Sequence, residues 1–152
     1  MRTINRTIVA ANIWSSDAKI FMALDNPKHG GVYSGCWKIP GGGLEEGESL
    51  IEGVIRETKE EIGLDISTFP IELIDDTMTG ESEKTLKDTG ERVIVKMRFY
   101  EYKIVLDKPA DEILINLDNK EFAEYKWFTV PELKTIKLSP PSIEILTKLG
   151  LL

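Results

Sequence analysis

Three glutamates at helical spacing are the residues of this sequence best suited to chemistry. Glu57, Glu60 and Glu61 occupy positions i, i+3 and i+4. On a helix with about 100° per residue these positions lie within about 100° of one another, so the carboxylates share one side. Like charges at this spacing cost about 0.2–0.5 kcal/mol per pair, but a hard cation such as Mg²⁺ binds carboxylate oxygens and would reverse that effect. From the helix alone, a metal site and an ordinary acidic surface both remain open.

The neighbouring residues predict where this helix begins and ends. Ser49 followed by Glu52 forms a capping box, and Gly63 suits the left-handed residue that follows a helix. Before the helix, Pro40 and the glycines at 41–43 predict a turn with free backbone φ. An apolar stripe predicts the side that packs on the core, and its members are Ile51, Val54, Ile55, Thr58 and Ile62. The predicted helix therefore buries one face and presents its carboxylates beside a glycine-rich segment.

This stretch resembles the signature of the Nudix hydrolases, which places a glycine, a glutamate, Arg-Glu, Glu-Glu and a final glycine at fixed spacing. The matching residues here are Gly42, Glu48, Arg56, Glu57, Glu60, Glu61 and Gly63. Average residue usage gives such a chance match a probability on the order of 10⁻⁸ per starting position. Thr58 departs from the aliphatic residue that is usual in the family. Because Thr58 lies on the apolar stripe, we expect the departure to affect packing more than chemistry.

The resemblance implies that the helix binds a divalent metal ion. Glu57, Glu60 and Glu61 are then the metal ligands, and the carbonyl of Gly42 joins them. The implied ion is Mg²⁺, with Mn²⁺ as a possible substitute. We expect Glu60 and Glu61 both to project from the helix into solvent or toward the metal.

The resemblance also implies a set of catalytic residues. Many family members carry a further glutamate on the loop before the last strand, where it binds metal or acts as general base. Glu121 matches that pattern and is the candidate base, with Glu124 as the alternative; either could instead be a solvated loop acid. Arg56 is a candidate for orienting a glutamate through a charge-assisted hydrogen bond, and Glu60 is a further catalytic candidate. Glu48 is interpreted as a structural residue at the helix entrance.

Three residues before the glycines are candidates for binding a substrate. Tyr33 and Trp37 could stack on a base, and Lys38 could contact a phosphate. The alternatives are that the two aromatic residues belong to the core and that the lysine is solvated. Arg6 and Arg98 are weaker candidates for a phosphate contact.

Negative charge is concentrated at the predicted site. The chain has 152 residues and a net charge of −7, and residues 42–61 alone hold seven acids and two bases. This balance argues against a nucleic-acid or membrane partner, whereas a small nucleotide remains possible because a bound metal inverts the local charge. The single Cys36 excludes an internal disulfide, and no stretch approaches the roughly 18–20 apolar residues of a membrane span. Residues 1–14 lack the apolar core and the cleavage site of a signal peptide. We expect a cytoplasmic monomer or homodimer.

The rest of the chain predicts a single α+β domain over residues 1–152. Segments rich in β-branched and aromatic residues predict strands at 6–14, 19–24, 71–77, 93–105, 112–117 and 125–128. Polar loops are predicted at 25–34 and 79–92, the second as a mobile loop or hairpin arm. One helix is predicted after Thr129 and a last one from Pro140. The apolar face of the last helix is predicted to consist of Ile143, Leu146 and Leu149. This order predicts a mixed β-sheet flanked by helices, and the resemblance implies an α/β/α sandwich, the Nudix fold.

The function implied by the resemblance is Mg²⁺-dependent hydrolysis of a diphosphate bond in a nucleoside diphosphate linked to another group. Residues 30–48 and 121–127 look most similar to bacterial nucleoside triphosphatases, which favours a (deoxy)nucleoside triphosphate giving monophosphate and diphosphate. The alternatives on the same scaffold are nucleotide sugars, ADP-ribose and dinucleoside polyphosphates. A second alternative is a non-catalytic nucleotide-sensing module, which we would expect to have lost one of the metal-binding glutamates.

Overall fold

The structure is a computed structural model that describes residues 1–29 and 33–152. Part of the polar loop predicted at 25–34 lies outside these residues. The strands are β1 (Arg2–Trp14), β2 (Ile20–Asp25), β3 (Trp37–Lys38), β4 (Gly41–Gly43), β5 (Glu72–Asp75), β6 (Thr79–Thr85), β7 (Arg92–Val105) and β8 (Phe122–Phe128). The α-helices are α1 (Leu50–Ile62) and α2 (Pro140–Lys148), and short 3₁₀ helices form at Pro27–His29, Ala110–Glu112 and Pro131–Thr135.

All eight strands belong to one mixed sheet. Its main path runs β3-β2-β1-β7-β5, while β4 also pairs with β1, β6 with β7, and β8 with β2. The two long strands β1 and β7 lie parallel, in register from Arg2 opposite Val93 to Trp14 opposite Val105. The other pairings are antiparallel, including the one that joins β4 to the middle of β1.

Alternate residues of β1 face opposite sides of the sheet and divide the core in two. Val9 and Ala11 pack in one buried cluster together with Val54 of α1. Ala10 packs in the other cluster together with Leu146 of α2. Because successive side chains of a strand point to opposite faces, one helix covers each face of the sheet. The predicted α/β/α sandwich is confirmed.

Helix α1 has the caps predicted from its sequence. The Ser49 hydroxyl accepts a hydrogen bond from the Glu52 N–H at 3.1 Å, and the Glu52 carboxylate accepts one from the Ser49 N–H at 3.0 Å. Gly63 has a φ of 70°, a left-handed conformation that glycine adopts without steric cost. Thr58 is buried, and its hydroxyl donates to the Val54 carbonyl at 2.7 Å, so its polar group is satisfied inside the helix.

Two apolar positions of the helices were assigned wrongly from sequence. Ile51 is 42% exposed, because the first turn of α1 is covered less than the rest and Leu50 packs against the cluster instead. Ile143 in α2 is 45% exposed, whereas Ile145 is buried beside Leu146. The rest of each predicted stripe does face the core, since Val54 and Ile62 of α1 and Leu146 of α2 are buried.

The strand predicted at 112–117 is absent from the structure, although its apolar residues do pack on the core. Ile113, Ile115 and Leu117 contact the cluster on the α1 side, while Leu114 is 90% exposed. The backbone of this segment bonds to the end of α1 rather than to a strand, since the Asn116 N–H donates to the Ile62 carbonyl at 2.9 Å. The alternating apolar pattern therefore reflects an extended chain that covers a helix end.

The segment predicted as a mobile loop or hairpin arm is the hairpin arm. Strand β6 pairs antiparallel with β7 from Thr79 opposite Arg98 to Thr85 opposite Arg92. The helix predicted after Thr129 is a 3₁₀ helix, preceded by hydrogen bonds from the Thr129 N–H and hydroxyl to Glu132. Within residues 1–29 and 33–152, no helix is both long and apolar enough to cross a lipid bilayer.

Candidate active site

Strand β4 brings three glycines against the middle of β1. Gly41 lies opposite Ala10, and Gly42 lies opposite Val9. A Cβ on Gly42 would lie 2.5 Å from the carboxylate carbon of Glu57, and a Cβ on Gly41 would lie 2.5 Å from the Val9 carbonyl oxygen. None of the three glycines has a positive φ. They are required for close approach rather than for the turn predicted from sequence, and Gly42 places its backbone directly beside a carboxylate.

The three glutamates of α1 that are predicted metal ligands differ sharply in exposure. The Glu60 side chain is 60% exposed and that of Glu57 is 15% exposed, whereas Glu61 as a residue is only 2% exposed. The expected direction into solvent holds for Glu60, whereas Glu61 points into the protein, and its role as a metal ligand stays a prediction. Their spacing places them on one side of the helix, but that side runs from solvent at Glu60 into the core at Glu61.

Arg56 connects the helix to the residues that precede it. Its guanidinium donates to both oxygens of Glu48, at 2.6 and 3.0 Å, and to the Gly43 carbonyl at 3.0 Å. It also donates to Glu57 and to Glu60, each at 3.1 Å. The hydrogen bond with Glu48 raises the pKa of Arg56 and lowers the pKa of Glu48. Arg56 thus fixes the orientation of these carboxylates, in line with its predicted role, and Glu48 has a structural contact at the helix entrance.

Glu61 is a buried carboxylate without a hydrogen-bond donor. Neither of its side-chain oxygens accepts a hydrogen bond from a described residue. Burial raises the pKa of Glu61 well above its ordinary value, and the charges of Glu121 and Glu57 raise it further. Burial also raises the pKa of Glu57. A buried charge without a partner is strongly unfavourable, and a hard cation that accepts carboxylate oxygens would remove that penalty.

The carboxylate oxygens of Glu61 therefore fit a divalent cation. The three predicted carboxylate ligands, however, do not converge on a single position. Among residues 1–29 and 33–152, no three His, Cys, Asp or Glu side chains converge closely enough to form a metal cluster. Two of the predicted ligands, Glu57 and Glu60, are instead hydrogen-bonded to Arg56. A cation at Glu61 would therefore compete with Arg56 for Glu57.

Glu121 lies directly before β8. It is close enough to Glu61 of α1 for its charge to raise the pKa of Glu61. Its Oε1 is 3.4 Å from the Lys38 ammonium, which is also 3.5 Å from Oδ1 of Asp25. Asp25 is only 3% exposed. The alternative base, Glu124, lies within β8 and is exposed. The structure thus brings Glu121 and Lys38 together, and it adds Asp25, whose position at the end of an apolar strand was the only signal in the sequence.

A cavity of about 310 Å³ opens beside these groups. Its lining includes Gly42, Lys38, Glu121 and Tyr33, and burial raises the pKa of the Tyr33 hydroxyl. The structure does not bring Trp37 into this cavity. The Trp37 ring instead packs edge-on against Phe128, with 5.1 Å between ring centroids, in the cluster on the α2 side.

Of the two weaker phosphate candidates, one reaches the cavity. Arg6 lies in its lining, with its guanidinium against Gly43. Arg98 instead donates to the Asp76 carbonyl at 3.1 Å and faces a separate surface hollow.

Sequence reasoning missed one buried acid in the cavity lining, Glu101. It is 3% exposed, and burial raises its pKa to about 7. A signal was present, because Glu101 continues the alternation Met97, Phe99 on the inner face of β7. A charged residue at a position predicted to be buried marks a candidate functional residue.

The site combines a carboxylate-bearing helix packed on a mixed sheet with a glycine strand and a cavity. The sequence profile of the NUDIX domain matches residues 5–149, so this chain belongs to the Nudix family. The predicted assignment to this family and to enzymes that hydrolyse diphosphate bonds is confirmed.

Two proteins of known name are similar over most of the chain. Nucleoside triphosphatase NudI from Enterobacter sp. (strain 638) is 32% identical over 154 residues, covering 97% of this chain and 98% of that protein. An RNA pyrophosphohydrolase from Campylobacter jejuni is 30% identical over 136 residues, covering 83% of this chain and 76% of that protein. Among solved structures, the dihydroneopterin triphosphate pyrophosphohydrolase of E. coli has the same fold, with a TM-score of 0.67, 18% identity, and coverage of 93% of this chain and 92% of that one.

Proposed function

We propose that this protein hydrolyses nucleoside triphosphates to a nucleoside monophosphate and diphosphate, with Mg²⁺ as its metal ion and Mn²⁺ as a possible substitute. The observation that carries the proposal is the buried carboxylate of Glu61, which has no hydrogen-bond partner among the described residues and lies close enough to Glu57 and Glu121 for their charges to raise its pKa. Glu121 in turn lines the cavity. The match to a nucleoside triphosphatase along nearly its whole length supports the choice of substrate.

In this proposal the α1 carboxylates and the Gly42 backbone hold the cation. When bound, a divalent cation neutralises charge on the phosphate oxygens and orients water for attack. Gly42 lets the backbone approach, because any side chain there would collide with Glu57. Arg56 holds Glu57 and Glu60 in place through its hydrogen bonds.

Glu121 is the proposed general base. It is paired with Lys38 at 3.4 Å, and Lys38 is in turn paired with the buried Asp25 at 3.5 Å. This arrangement fixes the Glu121 carboxylate at the cavity, where it would take the proton from the attacking water. Lys38 and Arg6 both bring positive charge to the lining, and Lys38 is the proposed phosphate contact.

The test is a substrate panel with Mg²⁺, measured as phosphate release. Inorganic diphosphatase is added to one arm to reveal diphosphate. For the substrates without a terminal phosphate, alkaline phosphatase is added to a second arm, because it releases phosphate from the sugar phosphates and nucleotides that their hydrolysis would give. The panel contains nucleoside triphosphates, nucleotide sugars, ADP-ribose, dinucleoside polyphosphates and an RNA with a 5′ triphosphate. We expect phosphate only from the triphosphates and only when diphosphatase is added. The exposed Glu72→Gln serves as the matched control for Glu61→Gln, which removes one carboxylate charge at the site.

Each alternative gives its own result. Turnover of sugar-linked or dinucleoside substrates in place of triphosphates would retain the diphosphate chemistry and overturn the substrate. Preferred turnover of the RNA would show that the substrate is the 5′ triphosphate end of an RNA. Silence over the whole panel, combined with nucleotide binding, would favour the sensing module.

A further inference from the structure

Glu101 presents a fixed carboxylate to the cavity. It is 3% exposed and lies in the cavity lining. The Asn12 side-chain Nδ2 donates to Glu101 Oε1 at 3.2 Å and to the Tyr102 carbonyl at 3.1 Å. Because the Tyr102 carbonyl can only accept, the Asn12 amide must turn its nitrogen to Glu101. Glu101 Oε2 accepts no hydrogen bond from the described residues, so this oxygen remains available to a ligand.

Glu101 is separated from the glycine strand β4 by one strand of the sheet. Ala10 of β1 lies between Gly41 of β4 on one side and Glu101 of β7 on the other. Two strand spacings of about 4.8 Å separate the Gly41 and Glu101 backbones by about 10 Å. Phosphate and a buried carboxylate repel each other, so a nucleotide would direct its phosphates to Gly42 and its base to Glu101.

The walls near Glu101 suit a flat ring. Ile8, Phe99 and Pro141 line the cavity together with Glu101. Ligand cavities in proteins are mostly apolar with a few fixed polar groups that set specificity. Glu101 is such a group, since it shares the cavity lining with these apolar side chains and accepts a hydrogen bond from Asn12.

We propose that Glu101 is the specificity-determining residue of this cavity and accepts two parallel hydrogen bonds from the ring N–H and the exocyclic amine of a guanine-type edge. An ionised carboxylate only accepts hydrogen bonds, and its two oxygens match two donors side by side. Guanine carries that edge, and so do pterins. Adenine and cytosine place an acceptor next to the amine, and thymine and uracil flank one N–H with two carbonyls. The inference rests on the proposed function, because it names the base of the nucleotide bound there.

The charges near Glu101 are consistent with a ligand that brings donors. Burial raises its pKa to about 7, and the charges of Asp75 and Glu144 raise it further, against the hydrogen bond from Asn12. Lys38, Glu121 and Tyr33 also line the cavity. Two N–H donors would compensate the buried negative charge, whereas a base that presents acceptors would leave it uncompensated.

The experiment measures binding of nucleoside monophosphates by calorimetry, which does not depend on hydrolysis. GMP, IMP, AMP, CMP and UMP are titrated into the wild-type protein, Glu101→Gln and the exposed control Glu72→Gln. Neopterin is a separate ligand that distinguishes a pterin from a guanine nucleotide. Hydrogen bonds to charged groups are each worth about a 10- to 100-fold change in affinity. We expect IMP, which lacks the exocyclic amine, to bind about 10-fold more weakly than GMP, and AMP about 100-fold more weakly.

The variant separates a role in specificity from a structural one. Glu101→Gln should lose about 10- to 100-fold in GMP affinity and gain relative affinity for AMP, since a glutamine pairs with the adjacent donor and acceptor of adenine. Glu72→Gln should match the wild type. Equal loss for all bases, or an unchanged order of bases, would overturn the inference, and thermal unfolding checks that the variant is folded.

The outcomes also separate this inference from the proposed function. Selective GMP binding without triphosphate hydrolysis would support Glu101 and overturn the proposed activity. Triphosphate hydrolysis with no preference for guanine in binding would do the reverse. If neopterin binds more tightly than GMP, the two proposed hydrogen bonds to Glu101 would be supported and the ligand would be a pterin.

Discussion

Two glutamates of this protein are buried to the same degree and differ in what surrounds them. Glu61 is 2% exposed and accepts no hydrogen bond from a described residue, while its neighbours Glu57 and Glu121 are also acids. Glu101 is 3% exposed and is held by Asn12. Burial alone therefore does not assign a role to a carboxylate. Glu61, which has no donor among the described residues, would be stabilised by a cation, whereas Glu101, which already accepts a hydrogen bond from Asn12, would be stabilised by a proton or by further hydrogen-bond donors.

The largest expected effect comes from neutralising Glu61. Glu61→Gln should lower kcat with Mg²⁺ by about 10³-fold or more, because transition-state charge stabilisation of this kind is worth about 3–4 kcal/mol or more. The fold should persist, since the change removes an unpartnered buried charge. Steady-state kinetics and thermal unfolding check both parts. Full turnover by Glu61→Gln would show that this glutamate is not part of the catalytic site.

The second prediction concerns pH and Glu101. Its pKa rises from 4.5 to about 7 on folding, so the native state binds the proton more tightly than the unfolded state. The resulting stabilisation is complete below pH 4.5 and is lost as the pH rises to about 7 and beyond, which amounts to about 3 kcal/mol.

Denaturant unfolding from pH 4 to pH 8 measures this effect as a difference between wild type and Glu101→Gln. We expect the variant to gain stability relative to wild type by about 3 kcal/mol over that range. Taking the difference removes the contribution of carboxylates whose pKa is lowered in the fold, such as Glu48 and Glu52. A constant difference at all pH values would show that Glu101 does not change its protonation with folding.

Added Mg²⁺ should also distinguish Glu61 from Glu101, because only the replacement of Glu61 should reduce the stabilisation by the metal ion. A cation that binds only the native state stabilises it by about 2.7 kcal/mol at 100 times its Kd. We expect Mg²⁺ to raise the melting temperature of wild type and of Glu101→Gln equally, and that of Glu61→Gln much less. Thermal unfolding with and without Mg²⁺ is the measurement. An equal shift in all three proteins would place the ion elsewhere.

The sequence was sufficient to predict α1, its caps and the side of the helix that its glutamates share, because these features depend on neighbours within a few residues. It was not sufficient to predict the burial of Glu61. A segment distant in the sequence covers this end of the helix, since the Asp118 N–H donates to the Glu61 carbonyl at 2.8 Å and Asn116 lies against Gly63. Residues 112–117 of that segment were predicted as a strand, so the sequence did not place the segment against α1.

Glu101 illustrates a different limit. Its alternation with Met97 and Phe99 placed it on the inner face of β7, but its partner Asn12 lies on a strand 89 positions earlier in the sequence. Only the parallel pairing of β1 with β7 brings the two side chains together. Pairings between strands so far apart are set by the whole sheet and not by local pattern.

The smallest expected effect comes from Asn12→Ala, which would leave Glu101, like Glu61, without a hydrogen-bond donor among the described residues. Asn12→Ala removes the donor to Glu101 Oε1 and leaves a second buried carboxylate without a partner. A hydrogen bond to a charged group contributes about 1.5–3 kcal/mol, so unfolding at pH 8 should show a loss of about that size. At pH 4 the carboxyl is protonated in both states, and the loss should be smaller. Combining Asn12→Ala with Glu101→Gln should remove the pH dependence of the loss; a loss that stays the same at both pH values in the single variant would show that Asn12 acts by packing and not through the charge of Glu101.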